Sequence, residues 1–532
     1  MNTKHFYLIV CLLGIGTIVN LSSCSKDEDN SDDGGGGQTS ATPFTAITAE
    51  DGDNTIQATI DDTKKTVTFA FTEADDLTAI PVTFSLGEGY RLVFPETNPA
   101  TIDVSASTVV KVNNGKQDII YRLSGTTTAM TNYIDEEKIA LVGATPVITV
   151  NNPAKSITIA YDKTIQMDRV ELDLSQALAE GVTVQSENLV YDFSNSTKVD
   201  TLALSYKNKT IKYSVKLDVS KFVVNPTSLG FQDVTTAYSG IPGHTKVYHI
   251  SNYNLPDIST YLGDMDENPA TTATKVDVYI AVVDMNYMNF EVVTNGNGQG
   301  VNASTTPDRA YEMTQADIIL SGEEEQSLIV VNKNIEQITY DNEHQDAGRG
   351  AFGIDENGKF AINYAFAQGG KVYTVPAGNS GHCAEWISNG TAKEWKVTYA
   401  GGGYPTLMKN GIAVKEAEAW ENDGSAGSHW DSPYARAIIG ITYDYKFIAF
   451  VASGVGKNEG IEGIGTSQGG YIMKQLGCKD ILHLEGSGSP FMKIVGQNTI
   501  KSTKTHDVNT GELIDATKQK ALDYCIAIKI KE

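Results

Sequence analysis

The chain has 532 residues, of which 40% are hydrophobic and 20% charged, a balance that excludes a disordered chain and a multi-spanning membrane protein. Its 49 glycines follow no Gly-X-Y period, which excludes collagen. Sixty-six Asp and Glu residues against 41 Lys and Arg residues give a formal net charge of −25. A chain this acidic is poorly matched to a phosphate polyanion, so we predict no nucleic-acid partner.

The first residues have the pattern of a secretory signal peptide. Lys4 supplies a positive charge, and the apolar run at residues 6–19 is too short to span a bilayer comfortably. The run ends in Leu21-Ser22-Ser23-Cys24, which resembles the lipobox of bacterial lipoproteins. The resemblance implies that residues 1–23 are removed and that Cys24 is lipidated. The alternative is an ordinary secretory signal with a chance cysteine.

Residues 24–43 are predicted to form a flexible, solvated tether, because acidic residues are followed there by four glycines. An acidic stretch directly after a lipidated cysteine resembles the surface-export signal of Bacteroidetes lipoproteins. The resemblance implies an outer-membrane lipoprotein exposed at the cell surface, with the periplasmic face as the alternative.

Residues 44–128 and 129–221 are predicted to form two all-β sandwich modules of immunoglobulin-like size. Alternating strand patterns at residues 66–71 and 119–123 recur about 90 residues later. Short strands with this period and almost no helical pattern are typical of such modules. Neither module contains a His, Cys or Trp, so we predict a spacer or a glycan-contact role for them rather than catalysis.

Residues 222–532 are predicted to form one α+β domain. All four tryptophans lie in this part, and they could stack on sugars, although core packing is their more common use. Helices are predicted at residues 310–319 and 466–476, the second with Thr466 as N-cap and Gly477 just past its end. Three cysteines also lie here, at Cys383, Cys478 and Cys525. They allow at most one disulfide, a structural thiol is the favoured interpretation of each, and their spacing gives no metal site, so no metal or cofactor is predicted.

One skeleton, Arg-x-x-x-Gly-Ile-x-x-x-x-Lys-Phe, occurs twice in this domain, beginning at Arg349 and again 87 residues later at Arg436. Each arginine is expected to lie, partly solvated, at the mouth of a strand that enters the core. A guanidinium suits bidentate recognition of a phosphate, so both arginines are candidate phosphate-binding residues. A surface arginine that merely opens a strand is the alternative for either copy.

Two further segments carry candidate binding groups. The Gly-rich run at residues 460–465 leads into the helix that begins near Thr466, and unpaired N–H groups at a helix N-terminus bind anions. A predicted buried strand at residues 480–484 ends in Glu485-Gly486-Ser487, a carboxylate followed by a turn of exposed N–H groups. Such a carboxylate is a candidate acid or base, although a plain surface turn is the alternative.

The order of these motifs over residues 275–530 resembles that of the phosphodiester glycosidase domain, the family of the enzyme that uncovers mannose 6-phosphate on lysosomal hydrolases. The motifs include Val331-Asn332, Gly402-Gly403-x-Pro405-x-Leu407 with a following Asn-Gly, and the strand that ends in Glu485. The family cleaves the bond between a sugar's anomeric carbon and a phosphodiester. The resemblance implies a glycan or sugar-phosphate substrate.

The same resemblance implies roles for individual residues. Arg349 and Arg436 would hold the phosphate, Glu485 would serve as acid or base, and Asn332 would orient the sugar. Three further residues would contribute to substrate binding: Thr466, Gly486 and Ser487.

The sequence departs from the family pattern, with Asn332-Lys333-Asn334-Ile335 for Asn-Gly-x-Phe and with Glu485 in place of an aspartate. Two hypotheses therefore stand at this stage. The first is a surface-anchored lipoprotein that hydrolyses sugar-1-phosphodiester bonds in glycans. The second is a glycan-binding or adhesive lipoprotein whose glycosidase-like domain has lost turnover.

Overall fold

The structure is a computed structural model of the chain, and it divides into two compact units, Met1–Ala129 and Met130–Glu532. The predicted signal peptide, Cys24, nearly all of the tether, and Ser487 lie outside the described residues. The described residues are 42–52, 54–73, 76–207, 209–251, 254–256, 271–273, 276–294, 305–322, 328–338, 348–376, 383–414, 430, 433–454, 463–486, 488–500 and 522–531.

The first unit is built from two sheets around one core. The described strands are β1 (Phe44–Asp51), β2 (Asn54–Gln57), β3 (Thr59–Asp61), β4 (Thr66–Thr72), β5 (Ile80–Leu86), β6 (Arg91–Phe94), β7 (Ala100–Ile102), β8 (Thr108–Asn113) and β9 (Asp118–Thr128). They pair in the orders β2-β1-β5-β7 and β3-β4-β9-β8-β6. Apolar residues alternate along β4 so that Val67, Phe69 and Phe71 face inward, where they meet Val82 and Phe84 of the other sheet.

Residues 140–218 repeat this arrangement. The strands are β10 (Ala140–Leu141), β11 (Ile148–Asn151), β12 (Ser156–Ala160), β13 (Val170–Asp173), β14 (Thr183–Val184), β15 (Val190–Tyr191), β16 (Val199–Tyr206) and β17 (Lys209–Asp218). The larger sheet has the order β11-β12-β17-β16-β14, and its parallel pair β12–β17 corresponds to the parallel pair β4–β9. The assignment of both copies to the immunoglobulin-like class stays a prediction.

A buried tyrosine occupies the same place in each copy. The hydroxyl of Tyr121 donates to Asp62 in the first copy, and the hydroxyl of Tyr213 donates to Asn152 in the second. In each copy a lysine ammonium also lies about 5 Å from the ring, at Lys65 and Lys155. The sequence repeat is therefore a repeat of structure as well as of pattern.

The second copy packs against the C-terminal part of its own unit. Tyr161 and Phe222 contact the ring of Tyr443, with ring centroids 5.2 and 4.6 Å away. The hydroxyl of Ser196 donates to the carbonyl oxygen of Tyr443 at 2.7 Å. These contacts place residues 130–222 and the C-terminal part in one compact body.

The C-terminal part contains three larger sheets in its described residues. Their orders are β18-β19-β22-β35-β34-β36-β32-β33, β26-β25-β31-β27-β28-β29-β30 and β23-β39-β24-β37-β38, with β20 and β21 forming a separate pair. The strands are β18 (Gln232–Asp233), β19 (Thr245–Ile250), β20 (Asn254–Pro256), β21 (Thr271–Ala273), β22 (Val278–Asp284), β23 (Met288–Val293), β24 (Ile318–Ser321), β25 (Ile329–Val331), β26 (Asn334–Gln337), β27 (Arg349–Asp355), β28 (Phe360–Gln368), β29 (Lys371–Val375), β30 (Lys393–Glu394), β31 (Val397–Gly402), β32 (Thr406–Lys409), β33 (Ile412–Ala413), β34 (Arg436–Thr442), β35 (Lys446–Ala452), β36 (Cys478–Gly486), β37 (Met492–Ile494), β38 (Gln497–Ile500) and β39 (Cys525–Ile530).

The α-helices of the described residues are few, as the sequence predicts. They are α1 (Pro307–Thr314), α2 (Cys383–Ser388) and α3 (Thr466–Gln475). The predicted helix at 466–476 is confirmed, but its N-cap is Gly465 rather than Thr466, because the N–H of Gly465 is held by the side chain of Gln468 at 2.9 Å. The helix predicted at 310–319 ends early, since residues 318–321 belong to β24.

The three described cysteines, Cys383, Cys478 and Cys525, are free and buried, as structural thiols would be. Burial raises the pKa of the Cys478 and Cys525 thiols, which keeps both in the unreactive protonated form. No helix of the described residues is both long and apolar enough to cross a membrane.

The duplicated arginine skeleton forms two hairpins with one register. In the first, Arg349 pairs with Ala365 across β27 and β28, and in the second Arg436 pairs with Ala452 across β34 and β35. The two Phe residues of the skeleton, Phe360 and Phe447, contact each other edge to face at 5.5 Å in the shared core. The two hairpins therefore meet through equivalent residues, and their arginines open equivalent strands.

Candidate functional site

The predicted carboxylate and one predicted arginine lie on neighbouring strands. β34 pairs antiparallel with β36, and the register sets Arg436 opposite Gly486 and Ala437 opposite Glu485. The start of β34 and the end of β36 therefore form one sheet edge. The negative charge of Glu485 also stabilises the positive charge of Arg436. The structure thus brings Arg436, Glu485 and Gly486 together.

Arg436 is 1% exposed, so the expectation that it is partly solvated is wrong. Its Nε donates to the carbonyl oxygen of Ile464 at 3.2 Å, which ties β34 to the Gly-rich loop before α3. Burial lowers the pKa of Arg436 to about 10, although Glu485, Tyr434 and Tyr404 each oppose the shift. The guanidinium stays charged at neutral pH, in surroundings where a charge interacts strongly with its neighbours.

Gly486 is required by the packing of Arg436. A Cβ at this position would lie 2.3 Å from Nη1 of Arg436, so any other residue here would force the guanidinium to move. The N–H of Gly486 donates to Oε1 of Glu485 at 2.8 Å, and this bond orients the carboxylate. Gly486 therefore has a packing role beside the substrate-binding role predicted for it, which stays a prediction.

Arg349 opens β27 and is 8% exposed, so the expectation that it is partly solvated is wrong as well. Its guanidinium lies 5.5 Å from the ring centroid of Tyr404, and that of Arg436 lies 5.5 Å from the ring centroid of Tyr434. Because Tyr404 also interacts electrostatically with Arg436, it connects the two arginines. Each predicted phosphate-binding residue is thus paired with an aromatic ring.

Two backbone contacts hold Tyr404 in place. Nδ1 of His483 donates to the carbonyl oxygen of Tyr404 at 2.6 Å, and the neighbouring Gly403 donates its N–H to Gly350 at 2.9 Å. A Cβ on Gly403 would lie 2.6 Å from the carbonyl oxygen of His483. Gly403 therefore packs closely against the backbone of β36, another strand of the protein.

Thr466 is buried at the first turn of α3, next to the loop that accepts the Arg436 hydrogen bond. Two N–H groups at this end are already engaged, since Gly465 donates to Gln468 and Ser467 donates to the carbonyl oxygen of Trp430 at 3.1 Å. The helix end therefore has fewer donors for an anion than the sequence alone indicates. The binding role of Thr466 stays a prediction.

Asn332 lies apart from these residues. It occupies the turn between β25 and β26 with φ of 48°, is exposed, and accepts a hydrogen bond from Tyr399 at 2.5 Å. The adjacent Lys333 pairs with Glu356, beyond the end of β27 that is opposite to Arg349. A strand of seven residues, about 20 Å, separates the two ends. The structure therefore does not bring Asn332 to the arginines.

Sequence reasoning assigned no role to Tyr404, Tyr434 or His483. Tyr404 stands within the Gly-Gly-x-Pro motif and Tyr434 stands two residues before Arg436, so proximity to the motifs was the available signal. Trp386 and Trp430 are buried, as core tryptophans are. Among the described residues no group of three or more His, Cys, Asp or Glu side chains could hold a metal ion.

A mostly β domain with the guanidinium of Arg436 and the carboxylate of Glu485 at one sheet edge agrees with the class that the motif order implies. Residues 291–514 match the family model of the phosphodiester glycosidase, which confirms the resemblance. The chain therefore contains a phosphodiester glycosidase domain within its C-terminal part.

Comparison with solved structures gives distant likenesses. One is the catalytic domain of zebrafish N-acetylglucosamine-1-phosphodiester α-N-acetylglucosaminidase auto-inhibited by its pro-peptide, at 14% identity and a TM-score of 0.38, covering 57% of this chain and 87% of that one. Another is a hypothetical protein from Synechocystis, at 11% identity and a TM-score of 0.35, covering 91% and 96% of the two chains. No curated protein matches the chain.

Proposed function

We propose that this chain hydrolyses the bond between the anomeric carbon of a sugar and a phosphodiester group in glycans. The observation that carries the proposal is the meeting of Arg436 and Glu485 on neighbouring strands, inside the segment that matches the phosphodiester glycosidase family. This chemistry needs a cation beside the phosphate and a carboxylate beside the sugar.

The two groups would divide the work as follows. The guanidinium of Arg436, with that of Arg349, stabilises negative charge on the departing phosphate. Glu485 accepts a proton from the attacking water, whose oxygen forms the new bond to the anomeric carbon while the carbon–oxygen bond to the phosphate breaks. The released phosphate carries the electron pair of that bond. A phosphate already stabilised by arginine leaves readily, so the carboxylate serves better as a base than as an acid.

The cellular setting belongs to the proposal as well. We infer from the lipobox-like Leu21-Ser22-Ser23-Cys24 and the acidic tether that the enzyme is lipid-anchored at Cys24 on the outer membrane, facing the cell surface. The two β modules then act as spacers between the membrane and the glycosidase domain. Metabolic labelling with a lipid precursor tests this part, and a Cys24→Ala variant must lose the label.

The test of activity is release of sugar from an N-acetylglucosamine-1-phosphodiester by the purified chain. The variant Glu485→Gln keeps the size of the side chain and an oxygen that accepts from the N–H of Gly486. Its neutral amide cannot act as the base that accepts a proton from water. We expect kcat/KM to fall by about 10²- to 10⁴-fold. The matched control is Glu356→Gln, because that exposed carboxylate lies at the far end of β27.

Three outcomes are informative. Release by the native chain and by Glu356→Gln, but not by Glu485→Gln, supports the proposal, provided that both variants unfold at the same temperature as the native chain. Binding of the phosphodiester without any release, across pH and added metals, overturns it in favour of a glycan-binding lipoprotein. Equal release by both variants shows that Glu485 has no part in the chemistry.

A further inference from the structure

A cavity lies away from the arginines and Glu485. It has a volume of about 790 Å³, and its lining comes from the second β module and from the glycosidase domain. Its base is at Lys479 and Asp480, near the start of β36, whereas Glu485 is near the other end of that strand. Five residues of extended strand, about 17 Å, separate Asp480 from Glu485. The volume falls within the range of small-molecule sites, about 300–1,000 Å³.

Three buried charged residues form the base of this cavity. Lys479 Nζ lies 2.7 Å from one carboxylate oxygen of Asp480, and Lys409 Nζ lies 3.5 Å from the other. The exposed fractions of their side chains are 10% for Lys479, 21% for Lys409 and 4% for Asp480. Two positive charges therefore share one negative charge in a place with little access to water.

The two lysines differ in their remaining partners. Lys409 also donates to the carbonyl oxygen of Ile362 and to Oδ1 of Asn363 at 3.3 Å. Its ammonium therefore has two hydrogen-bond acceptors besides the carboxylate of Asp480. Lys479 has one acceptor for its ammonium among the described residues, which is Asp480. An ammonium has three N–H donors, so Lys479 retains donors at the wall of the cavity.

Asp480 is held in its ionised form. Burial alone would raise its pKa, but Lys409 and Lys479, with the N–H of Asn410 at 2.8 Å, lower it to about 2. Burial lowers the pKa of Lys409, and Asp480 opposes that shift. The negative charge is thus already committed to two cations, and none remains to balance Lys479 fully.

Asp355, Glu394 and Asp168 add negative charge to the walls of the cavity, but none of them forms an ion pair with Lys479. Asp355 accepts from the N–H groups of Asn357 and Lys359, and Glu394 pairs with Lys371 at 2.7 Å. Lys359 pairs with Asp192 at 2.9 Å. The exposed rim adds one charge of each sign, at Lys163 and Asp168. The base of the cavity therefore keeps an excess of one positive charge.

We propose that this cavity binds a sugar carrying one oxyanion group, with the oxyanion on the ammonium of Lys479. A carboxylate or phosphate oxygen would accept the unused donors of Lys479 and balance the second lysine, which a neutral ligand cannot do. The amide of Asn363 and the indole of Trp395 also line the cavity and suit the hydroxyls and the apolar face of a sugar ring. The site is separate from the proposed catalytic residues, so it binds part of a longer acidic glycan or a second molecule.

The test is isothermal titration calorimetry of the full chain with glucuronate, glucose 6-phosphate, inorganic phosphate and neutral glucose. We expect both acidic sugars to bind and glucose to give no signal. In Lys479→Gln the affinity for the acidic sugars falls at least about tenfold, because a charge-assisted hydrogen bond is lost. The control is Lys246→Gln, which removes an exposed lysine at 55% side-chain exposure and leaves the cavity intact.

A guanidinium binds carboxylates as well as phosphates, so the response of glucuronate binding to Lys479→Gln, and not the choice of ligand, separates this cavity from the site at Arg436. Loss of glucuronate binding in Lys479→Gln but not in Lys246→Gln supports the proposal, whether or not the chain hydrolyses phosphodiesters. Equal affinity in the native chain and Lys479→Gln overturns it, and so does the absence of binding of either acidic sugar. Binding of inorganic phosphate alone, unchanged in Lys479→Gln, assigns the anion to the arginines and also overturns the proposal. Retention of Asp480 and Lys409 keeps the local fold, which the thermal unfolding temperature checks.

Discussion

The two hairpins of the duplicated skeleton share their register, their opening arginine and their core phenylalanine, but they differ in the strand that each pairs with next. β27 pairs with β31, where Gly403 follows the strand and donates its N–H to Gly350. β34 pairs with β36, where Glu485 stands opposite Ala437, the residue equivalent to Gly350. One scaffold is thus used twice, and the second copy sets the carboxylate of Glu485 on the strand beside its arginine.

The difference between β31 and β36 shows which strands determine the surroundings of each arginine. The hairpins supply two guanidinium groups at comparable positions, and the third strands decide what each guanidinium faces. Arg349 faces the ring of Tyr404, whereas Arg436 has both the ring of Tyr434 and the charge of Glu485. The first copy therefore contributes a cation to the site, while the second contributes the cation and the proposed base.

The largest expected difference in the free energy of unfolding is between the variants Arg436→Lys and Arg349→Lys. Lysine keeps the charge at position 436 but cannot reproduce the Nε–H donation to Ile464 together with the planar contact to Gly486. We expect the free energy of unfolding to fall by about 3 kcal/mol, because a buried group in a buried charge pair is left unsatisfied. Arg349→Lys keeps a cation beside the ring of Tyr404, so we expect a smaller loss, about 1 kcal/mol.

Tryptophan fluorescence during urea unfolding measures this difference. All four tryptophans lie between residues 386 and 430, so the signal reports the second unit alone. Equal losses in the two variants would contradict the comparison. Phosphodiester turnover separates a binding role from a structural one. If kcat/KM falls in either variant under conditions where that variant is still folded, the arginine acts in binding as well as in stability.

Much of this comparison could be predicted from the sequence. The duplicated skeleton predicts two equivalent strands opened by arginine, and the structure has them, because the alternation of glycine and apolar residues specifies a buried strand wherever it occurs. The turn at Asn410-Gly411 and the helix after Gly465 likewise follow from local residue chemistry.

Burial and long-range placement could not be predicted in the same way. The depth of Arg436 depends on the loop at Ile464 and on Gly486, which are distant in sequence and reach it only through sheet pairing. Asn332 belongs to the same ordered set of motifs as the arginines, but it lies at the opposite end of the sheet that contains Arg349. The order of motifs along the chain does not determine the direction in which each strand runs. The cavity at Lys479 arises where residues 161–168 pack against the C-terminal part of the same unit, and no local pattern marks such a contact.

The next effect concerns Asp480, whose equivalent in the first copy is the uncharged Tyr399. Its folded pKa, about 2, lies below the ordinary value of 3.8. A carboxylate with a lowered pKa contributes stability that is fully present above the unfolded value and is lost as the pH falls through the folded value. The difference corresponds to about 2 kcal/mol of unfolding free energy, lost progressively below about pH 4.

The measurement compares the native chain with Asp480→Asn at about pH 6 and about pH 3 by urea unfolding. The native chain should lose more stability than the variant over this interval, and Tyr399→Phe, as the matched change in the first copy, should leave the pH dependence as in the native chain. Parallel pH profiles of the native chain and Asp480→Asn would show that the lysines do not stabilise the ionised carboxylate.

The smallest expected difference in the free energy of unfolding is between alanine variants of the equivalent glycines Gly353 and Gly440. A Cβ at Gly353 would lie 2.8 Å from the carbonyl oxygen of Tyr399, and that backbone is fixed by the pairing of β27 with β31. A Cβ at Gly440 would lie 2.7 Å from two side-chain atoms, Cε of Met473 and Sγ of Cys478, and its nearest backbone atom, the carbonyl oxygen of Asp480, would be at 3.2 Å. Methionine adapts to crowding through its three rotatable bonds, whereas a paired strand does not.

Gly353→Ala should therefore lower the unfolding free energy by about 1–3 kcal/mol, the usual cost of overpacking. Gly440→Ala should change it by less than about 1 kcal/mol, because the strain is smaller and alanine loses less backbone entropy than glycine on folding. Urea unfolding followed by tryptophan fluorescence compares the two. A larger loss for Gly440→Ala would show that the third strand of the second copy is the less adaptable one. The conformation of Glu485 would then depend on the packing beneath β34 as well as on Gly486.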